Sequence, residues 1–92
     1  MDDRRKKLKF RAWRRGFREL DLILGTFADT HITELDNDGL DAFEALLGEN
    51  DQDVYAWIIQ TGQAPIEFET ATLALIRAHC LHKTDQAGEQ VP

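Results

Sequence analysis

The spacing of apolar residues between positions 17 and 30 constrains the fold more than any other feature of this chain. Phe17, Leu20, Leu24 and Phe27 recur every three or four residues, which places them on one face of an α-helix. No stretch of the sequence alternates polar and apolar residues with period two, so strands are not expected. The pattern therefore predicts an all-α protein in which this helix buries its apolar stripe.

The remaining periodicity predicts four further helices, and so a small bundle. The expected helices lie at residues 3–14, 17–30, 37–48 and 54–61, with a fifth that starts near residue 64. Because the loops between them are only a few residues long, we predict a compact five-helix bundle in a single domain, residues 1–83. Residues 84–92 show no periodicity and are expected to form a disordered tail.

Capping residues indicate where several of these helices begin and end. Asp36 and Asn50 are good N-caps for the third and fourth helices, because a short polar side chain can accept from free backbone N–H groups. Gly48 and Gly62 are the expected stops of the same two helices. Pro65 fits the first turn of the fifth helix, where a missing N–H does no harm.

Charge divides the sequence into a basic start and an acidic remainder. Residues 1–18 contain nine of the eleven Lys and Arg against two Asp, a net charge of +7, whereas residues 19–92 carry −13. Cations at the start of the first helix oppose its dipole, so we expect this basic N-terminal arm to fray and to become ordered only near Trp13. The apolar residues expected to contact the rest of the bundle are Leu8, Phe10, Ala12 and Trp13. The arm is either a solvated segment or a docking surface for an anionic partner.

Composition favours a cytoplasmic protein. No apolar run approaches the roughly 20 residues that a membrane-spanning helix needs. The first residues are charged and have none of the apolar character of a secretory signal. The single cysteine, Cys80, excludes an internal disulfide and suits a reducing compartment.

The side chains offer little for catalysis or for holding a metal or cofactor. The histidines are His31, His79 and His82, and none has a Ser or Cys beside it in a recognisable nucleophile arrangement. The pair formed by His79 and His82 lacks the further ligands that zinc requires, and the calcium-loop register around Gly39 places Ala45 where a Glu is needed. No Gly-rich loop follows a strand, so we expect no metal and no stably bound cofactor.

The junction of the first two helices carries the most specific motif, Arg15-Gly16-x-x-Glu19 (RGxxE), within the longer run Arg14-Arg15-Gly16-Phe17-Arg18-Glu19-Leu20-Asp21-Leu22-Ile23-Leu24. One interpretation is a helix boundary at a glycine hinge, with a solvated i,i+4 pair between Arg15 and Glu19. The longer run resembles the SdhE family, also called succinate dehydrogenase assembly factor 2. Later segments resemble it too, namely Phe43-Glu44-x-Leu46-Leu47, Asp51-x-Asp53-Val54-Tyr55-x-Trp57 and Gly62-x-x-x-x-Ile66. The resemblance covers about residues 10 to 80, with Gln52 standing where proline is common.

The resemblance implies an assembly chaperone, not an enzyme. It would bind the flavoprotein subunit of succinate dehydrogenase, with the fumarate reductase flavoprotein as a further client, and promote covalent attachment of FAD, the client's cofactor. Gly16 would allow close approach of the client, Arg15 would offer it a donor fork, and Glu19 would pair with a client cation or orient Arg15. The further contact residues expected are Arg14, Arg18, Asp21 and Tyr55. We expect a monomer without a membrane partner.

A second class of function stays open at the level of sequence. The basic arm could belong to an antitoxin-like or regulatory module that binds a protein or a nucleic acid. The strongly acidic remainder of the chain and the lack of helix-turn-helix spacing argue against nucleic acid.

Overall fold

Five α-helices and one short 3₁₀ turn make up the regular structure of residues 1–89, the part of the chain that the computed structural model describes; side chains are described through residue 81. The helices are α1 (Asp3–Ala12), α2 (Arg18–His31), α3 (Asn37–Leu47), α4 (Asp51–Ile59) and α5 (Ala71–Glu89), and the 3₁₀ turn is Ile66–Phe68. The predicted all-α, five-helix fold in one small domain is confirmed. In the described part of the chain, every helix is too short or too polar to cross a membrane.

Helix α2 carries the stripe that organises the core. It packs against α1 and α5, while α3 contacts α1 and α5, and α4 packs on α5. Leu20, Leu24 and Phe27 are fully buried, as their spacing predicted. Phe27 meets Phe43 of α3 at 5.6 Å between ring centroids, which joins the two helices at the centre of the core.

The N-caps of α3 and α4 are the predicted ones, but the stop of α4 is not. Asp36 accepts from the N–H of Gly39, and Asn50 accepts from two N–H groups in the first turn of α4. Helix α4 ends at Ile59 because Gln60 adopts the left-handed conformation, with φ of 64°. The expected stop at Gly62 was therefore wrong, because α4 ends two residues before the predicted end at residue 61.

The fifth helix begins later than proline suggested. The segment after Pro65 forms the 3₁₀ turn, and α5 starts only at Ala71, where the hydroxyl of Thr70 accepts from the N–H of Leu73. The bounds of α5 run to Glu89 and so overlap the segment 84–92, for which a disordered tail remains a prediction. Residues 90–92 lie outside the described residues.

The basic start is a docked helix, and the expectation that it frays was wrong. Asp2 caps α1 by accepting from the N–H of Arg5. The Arg5 guanidinium donates to two carbonyl oxygens in the α2–α3 connection, those of Ile32 (2.9 Å) and Leu35 (2.5 Å). Favourable contacts with the body thus outweigh the opposed helix dipole.

Only part of the apolar face predicted for α1 is buried. Leu8 and Ala12 belong to the core and Trp13 is half-buried, but Phe10 is 59% exposed. Phe10 was therefore wrongly expected to contact the bundle; it lies on the outward face of the helix.

Candidate partner-binding site

The Arg15 side chain connects the α1–α2 loop to the start of α4. Its guanidinium donates from Nε and Nη2 to Oδ1 of Asp51, at 2.9 Å and 2.6 Å. The two side chains retain only 11% and 24% of their exposure, so the pair is largely shielded from solvent. A shielded, charge-assisted pair of this kind fixes the position of the loop far better than a solvated ion pair does.

Gly16 lies at the surface, directly against the same carboxylate. Its N–H donates to Oδ2 of Asp51, and a Cβ at this position would lie 2.5 Å from that oxygen. No glycine among the described residues has a positive φ, so the expected hinge conformation was the wrong reason for this glycine. Glycine fits here because the Asp51 carboxylate occupies the place of a side chain, and a larger residue would have to displace it.

The predicted pair between Arg15 and Glu19 does not form, because Arg15 is engaged by Asp51. Glu19 is exposed on the first turn of α2, and the orienting role that the sequence offered it belongs to Asp51. Asp21 is half-buried and accepts from the backbone N–H of Arg15, so it holds the loop from the α2 side. The loop is thus fixed by two carboxylates from two helices.

Tyr55 adds an aromatic edge to this surface. It lies one turn after Asp51 on the same face of α4 and is half-buried. Its ring meets Phe17 edge to face, with centroids 5.1 Å apart. Phe17 is the N-cap residue of α2, so this contact places α4 against the start of α2 beside the loop.

The structure brings the predicted contact residues to one region around the loop, with different degrees of exposure. Those at the surface are Arg14, Gly16, Arg18 and Glu19; those half-buried are Arg15, Asp21 and Tyr55. Arg14 holds its guanidinium 4.1 Å from the centroid of the Phe10 ring. The region therefore presents exposed charged side chains on a loop that is held by two carboxylates of the neighbouring helices.

No three His, Cys, Asp or Glu among the described side chains are close enough to hold a metal ion, and His82 falls outside that set. Partial burial raises the pKa of the Cys80 thiol, which keeps it protonated and weakly nucleophilic at neutral pH.

Asp51 is the residue at this loop that sequence reasoning missed. Its partners lie 35 and 36 positions earlier in the chain. A signal existed, since the Asp51-x-Asp53 segment was part of the resemblance, but spacing along the chain cannot pair it with Arg15.

Fold and site together define a small all-α module with a rigid polar loop suited to contact with another molecule. A family model described as flavinator of succinate dehydrogenase matches residues 6–80. The chain therefore belongs to this family, that of succinate dehydrogenase assembly factor 2, as the RGxxE motif indicated.

Named relatives agree with this assignment. The mitochondrial succinate dehydrogenase assembly factor 2 of Dictyostelium discoideum is 40% identical over 84 residues, which cover 91% of this chain and 58% of the relative. The protein of the same name from Candida glabrata is 40% identical over 58 residues, covering 63% and 38%. That of Drosophila virilis is 31% identical over 78 residues, covering 83% and 49%. The chain thus spans about half the length of these relatives.

Proposed function

We propose that this protein is an assembly chaperone that binds the flavoprotein subunit of succinate dehydrogenase and promotes its covalent flavinylation with FAD. The observation that carries the proposal is the Arg15–Gly16 loop, fixed by Asp51 at the surface of a chain that belongs to the flavinator family. A loop held in one conformation before binding loses little freedom when the partner arrives, which favours affinity.

We propose different roles for the members of the motif. Gly16 has no side chain to separate the partner from the loop backbone, and Glu19 presents an exposed carboxylate to a cation of the client. Arg15 already donates to Asp51, so its role is to hold the loop rather than to offer the client an open donor fork. The exposed cations Arg14 and Arg18 would speed the encounter with an acidic surface.

The chaperone assists a reaction that belongs to its client. In this proposal the client's own histidine would form the bond to the 8α-methyl carbon of FAD. That carbon would lose a C–H proton and the imidazole its N–H proton, while the two electrons released would reduce the flavin ring of the same FAD, which remains the client's cofactor. The small protein stabilises the client conformation in which the reacting groups are close, and correct positioning alone can lower a barrier by several kcal/mol. It supplies no nucleophile, so it is not itself the enzyme of the step.

A flavinylation assay tests the proposal. Purified apo-flavoprotein would be incubated with FAD, with and without this protein, and covalent flavin followed by in-gel fluorescence. We expect a several-fold faster appearance of fluorescent band with the protein present. Equal rates in both samples, with the client shown to be folded, would contradict the proposal. The same assay on the fumarate reductase flavoprotein tests the second client.

The proposal also covers assembly state and compartment. We propose that the protein acts as a monomer in the bacterial cytoplasm, whereas the relatives compared above are named as mitochondrial. Sedimentation of the purified protein and fractionation of cells that express it check these two points.

A further inference from the structure

The outward face of α1 carries a groove that the RGxxE loop does not use. The groove measures about 540 Å³ and is lined by Met1, Lys6, Lys9, Phe10, Trp13 and Arg14. Phe10 forms its apolar surface: its ring is 59% exposed, with the guanidinium of Arg14 over it at 4.1 Å from the centroid. An exposed aromatic ring flanked by cations is typical of a contact surface rather than of a solvated helix face.

The cations of α1 divide into two groups according to their partners. Arg4 bonds to Asp41 and Glu44 of α3, and Lys9 lies 3.3 Å from Asp29. In contrast, within residues 1–81 no carboxylate lies at ion-pair distance from Lys6 or Arg14. The groove is therefore bordered by two positive charges that the body of the protein leaves uncompensated.

One wall of the groove is rigid. The Trp13 indole packs so closely on Gly25 of α2 that a Cβ there would lie 2.2 Å from the ring. The indole N–H also donates to Asp29 at 3.2 Å. Because the ring is held by both contacts, the groove exists before any partner binds.

We propose that this groove binds an acidic segment of the flavoprotein client, with an apolar side chain against Phe10 and carboxylates beside Lys6 and Arg14. The inference rests on the proposed function for the identity of the client. Two observations favour this occupant. The uncompensated cations are complementary to carboxylates, and Arg14 continues directly into the Arg15–Gly16 loop, so one partner can span both surfaces.

Two variants outside the RGxxE loop test the inference, Lys6→Glu and Phe10→Ser, with Lys7→Glu as the matched control. Lys7 is an exposed cation on the same helix that does not line the groove. Binding to purified apo-flavoprotein would be measured by titration at low and moderate salt. We expect at least tenfold weaker binding for each test variant, a smaller salt dependence for Lys6→Glu, and less than twofold change for the control. Thermal melting should stay within 2 °C of wild type, because both side chains lie at the surface.

The outcomes separate the two proposals. If the wild type does not bind the client at all, the proposed function fails. If the wild type binds and both test variants bind equally well, only the groove assignment fails. Phosphatidylglycerol vesicles and a 20-base-pair DNA duplex serve as alternative probes. The inference would be overturned in favour of one of these ligands if the wild type bound that probe, both variants lost this binding, and both kept their affinity for the client.

Discussion

At both Gly16 and Gly25 a neighbouring side chain occupies the place of a Cβ, but the two neighbours differ in kind. Gly25 is buried in α2 under the Trp13 ring, which is held between the two helices. Gly16 is exposed, and its neighbour is the carboxylate end of Asp51. Neither glycine has a positive φ.

The comparison shows that the same residue type lies against a rigid neighbour at one site and against a movable neighbour at the other. An aromatic ring packed against backbone cannot move aside, so the contact at Gly25 fixes how closely α1 approaches α2. A carboxylate at the end of a flexible side chain can move, so the contact at Gly16 sets the shape of a surface loop. The predictions below run from the largest expected effect on stability, through effects on client binding, to a small pH-dependent effect.

Gly25→Ala should have the largest effect on the free energy of unfolding, and it should destabilise where this substitution usually stabilises a helix. In an ordinary helix this substitution stabilises by about 1 kcal/mol, because glycine is a poor helix former. Here the added methyl collides with the Trp13 ring, and overpacking of this kind costs about 1–3 kcal/mol. Urea unfolding measures the difference. Gly48→Ala is the control, since a Cβ there finds ordinary contacts, the nearest at 3.5 Å. If Gly25→Ala instead stabilised the protein, the close packing of Trp13 on Gly25 would not be rigid.

Asp51→Asn should lower stability and binding together. The substitution removes the charge that faces the shielded Arg15 guanidinium, at a cost of about 2 kcal/mol in the free energy of unfolding. We expect client affinity to fall at least tenfold, because the loop is released. Asp53→Asn is the matched control, an exposed carboxylate in the same helical turn. Equal effects of the two substitutions would remove the special role of Asp51.

Substitution of Gly16 should affect binding more than stability. In Gly16→Ala the methyl displaces the Asp51 carboxylate, which we expect to cost about 1 kcal/mol. Gly16→Arg should keep the helical fold by circular dichroism yet abolish co-purification with the flavoprotein. A Gly16→Arg protein that still supports full covalent flavin incorporation would mean that the loop is not the contact surface.

Glu19→Ala should weaken binding without any measurable loss of stability. Its carboxylate is exposed, and surface substitutions of this kind usually change stability by less than about 0.5 kcal/mol. We expect several-fold weaker client binding by titration and an unchanged urea midpoint. Glu49→Ala, another exposed glutamate, should change neither quantity.

The smallest effect concerns an ion pair far along the chain from both glycines. The Arg77 guanidinium, bonded to both oxygens of Glu69, holds the pKa of that carboxyl below its usual value. A lowered pKa in the folded state means that the contribution to stability is present at neutral pH and is lost as the pH falls through the lowered pKa. The stability difference between wild type and Glu69→Gln should therefore shrink from pH 7 to pH 3. A difference that does not change with pH would show that the pair contributes nothing.

The sequence predicted best what depends on neighbours along the chain. The burial of Leu20, Leu24 and Phe27 and the N-caps at Asp36 and Asn50 follow from local spacing and local hydrogen bonds, and were found; Phe17, expected in the same stripe, is half-buried and precedes α2. The start of α5 at Ala71 was missed because Pro65 fits a 3₁₀ turn as well as a first helical turn.

The sequence predicted poorly what depends on contacts between distant segments. The candidate site residues were selected by motif and lie around one loop, but their internal partners were not foreseen. Asp51 reaches Arg15 across 36 positions, and Trp13 fills the space above Gly25 through packing that no pattern encodes. The exposure of Phe10 was missed for the same reason, since the docked face of α1 carries Leu8, Ala12 and the contacts that Arg5 makes with the distant α2–α3 connection.

The anchoring of α1 has a consequence for the order of events during synthesis. Helix α1 leaves the ribosome before α2 and α3, yet the groups that hold Arg5 and Arg4 come 27 to 40 residues later. This cationic helix therefore stays undocked until the corner between α2 and α3 has emerged. The last step in building the groove beside Phe10 is thus the docking of α1 onto a surface that is synthesised after it.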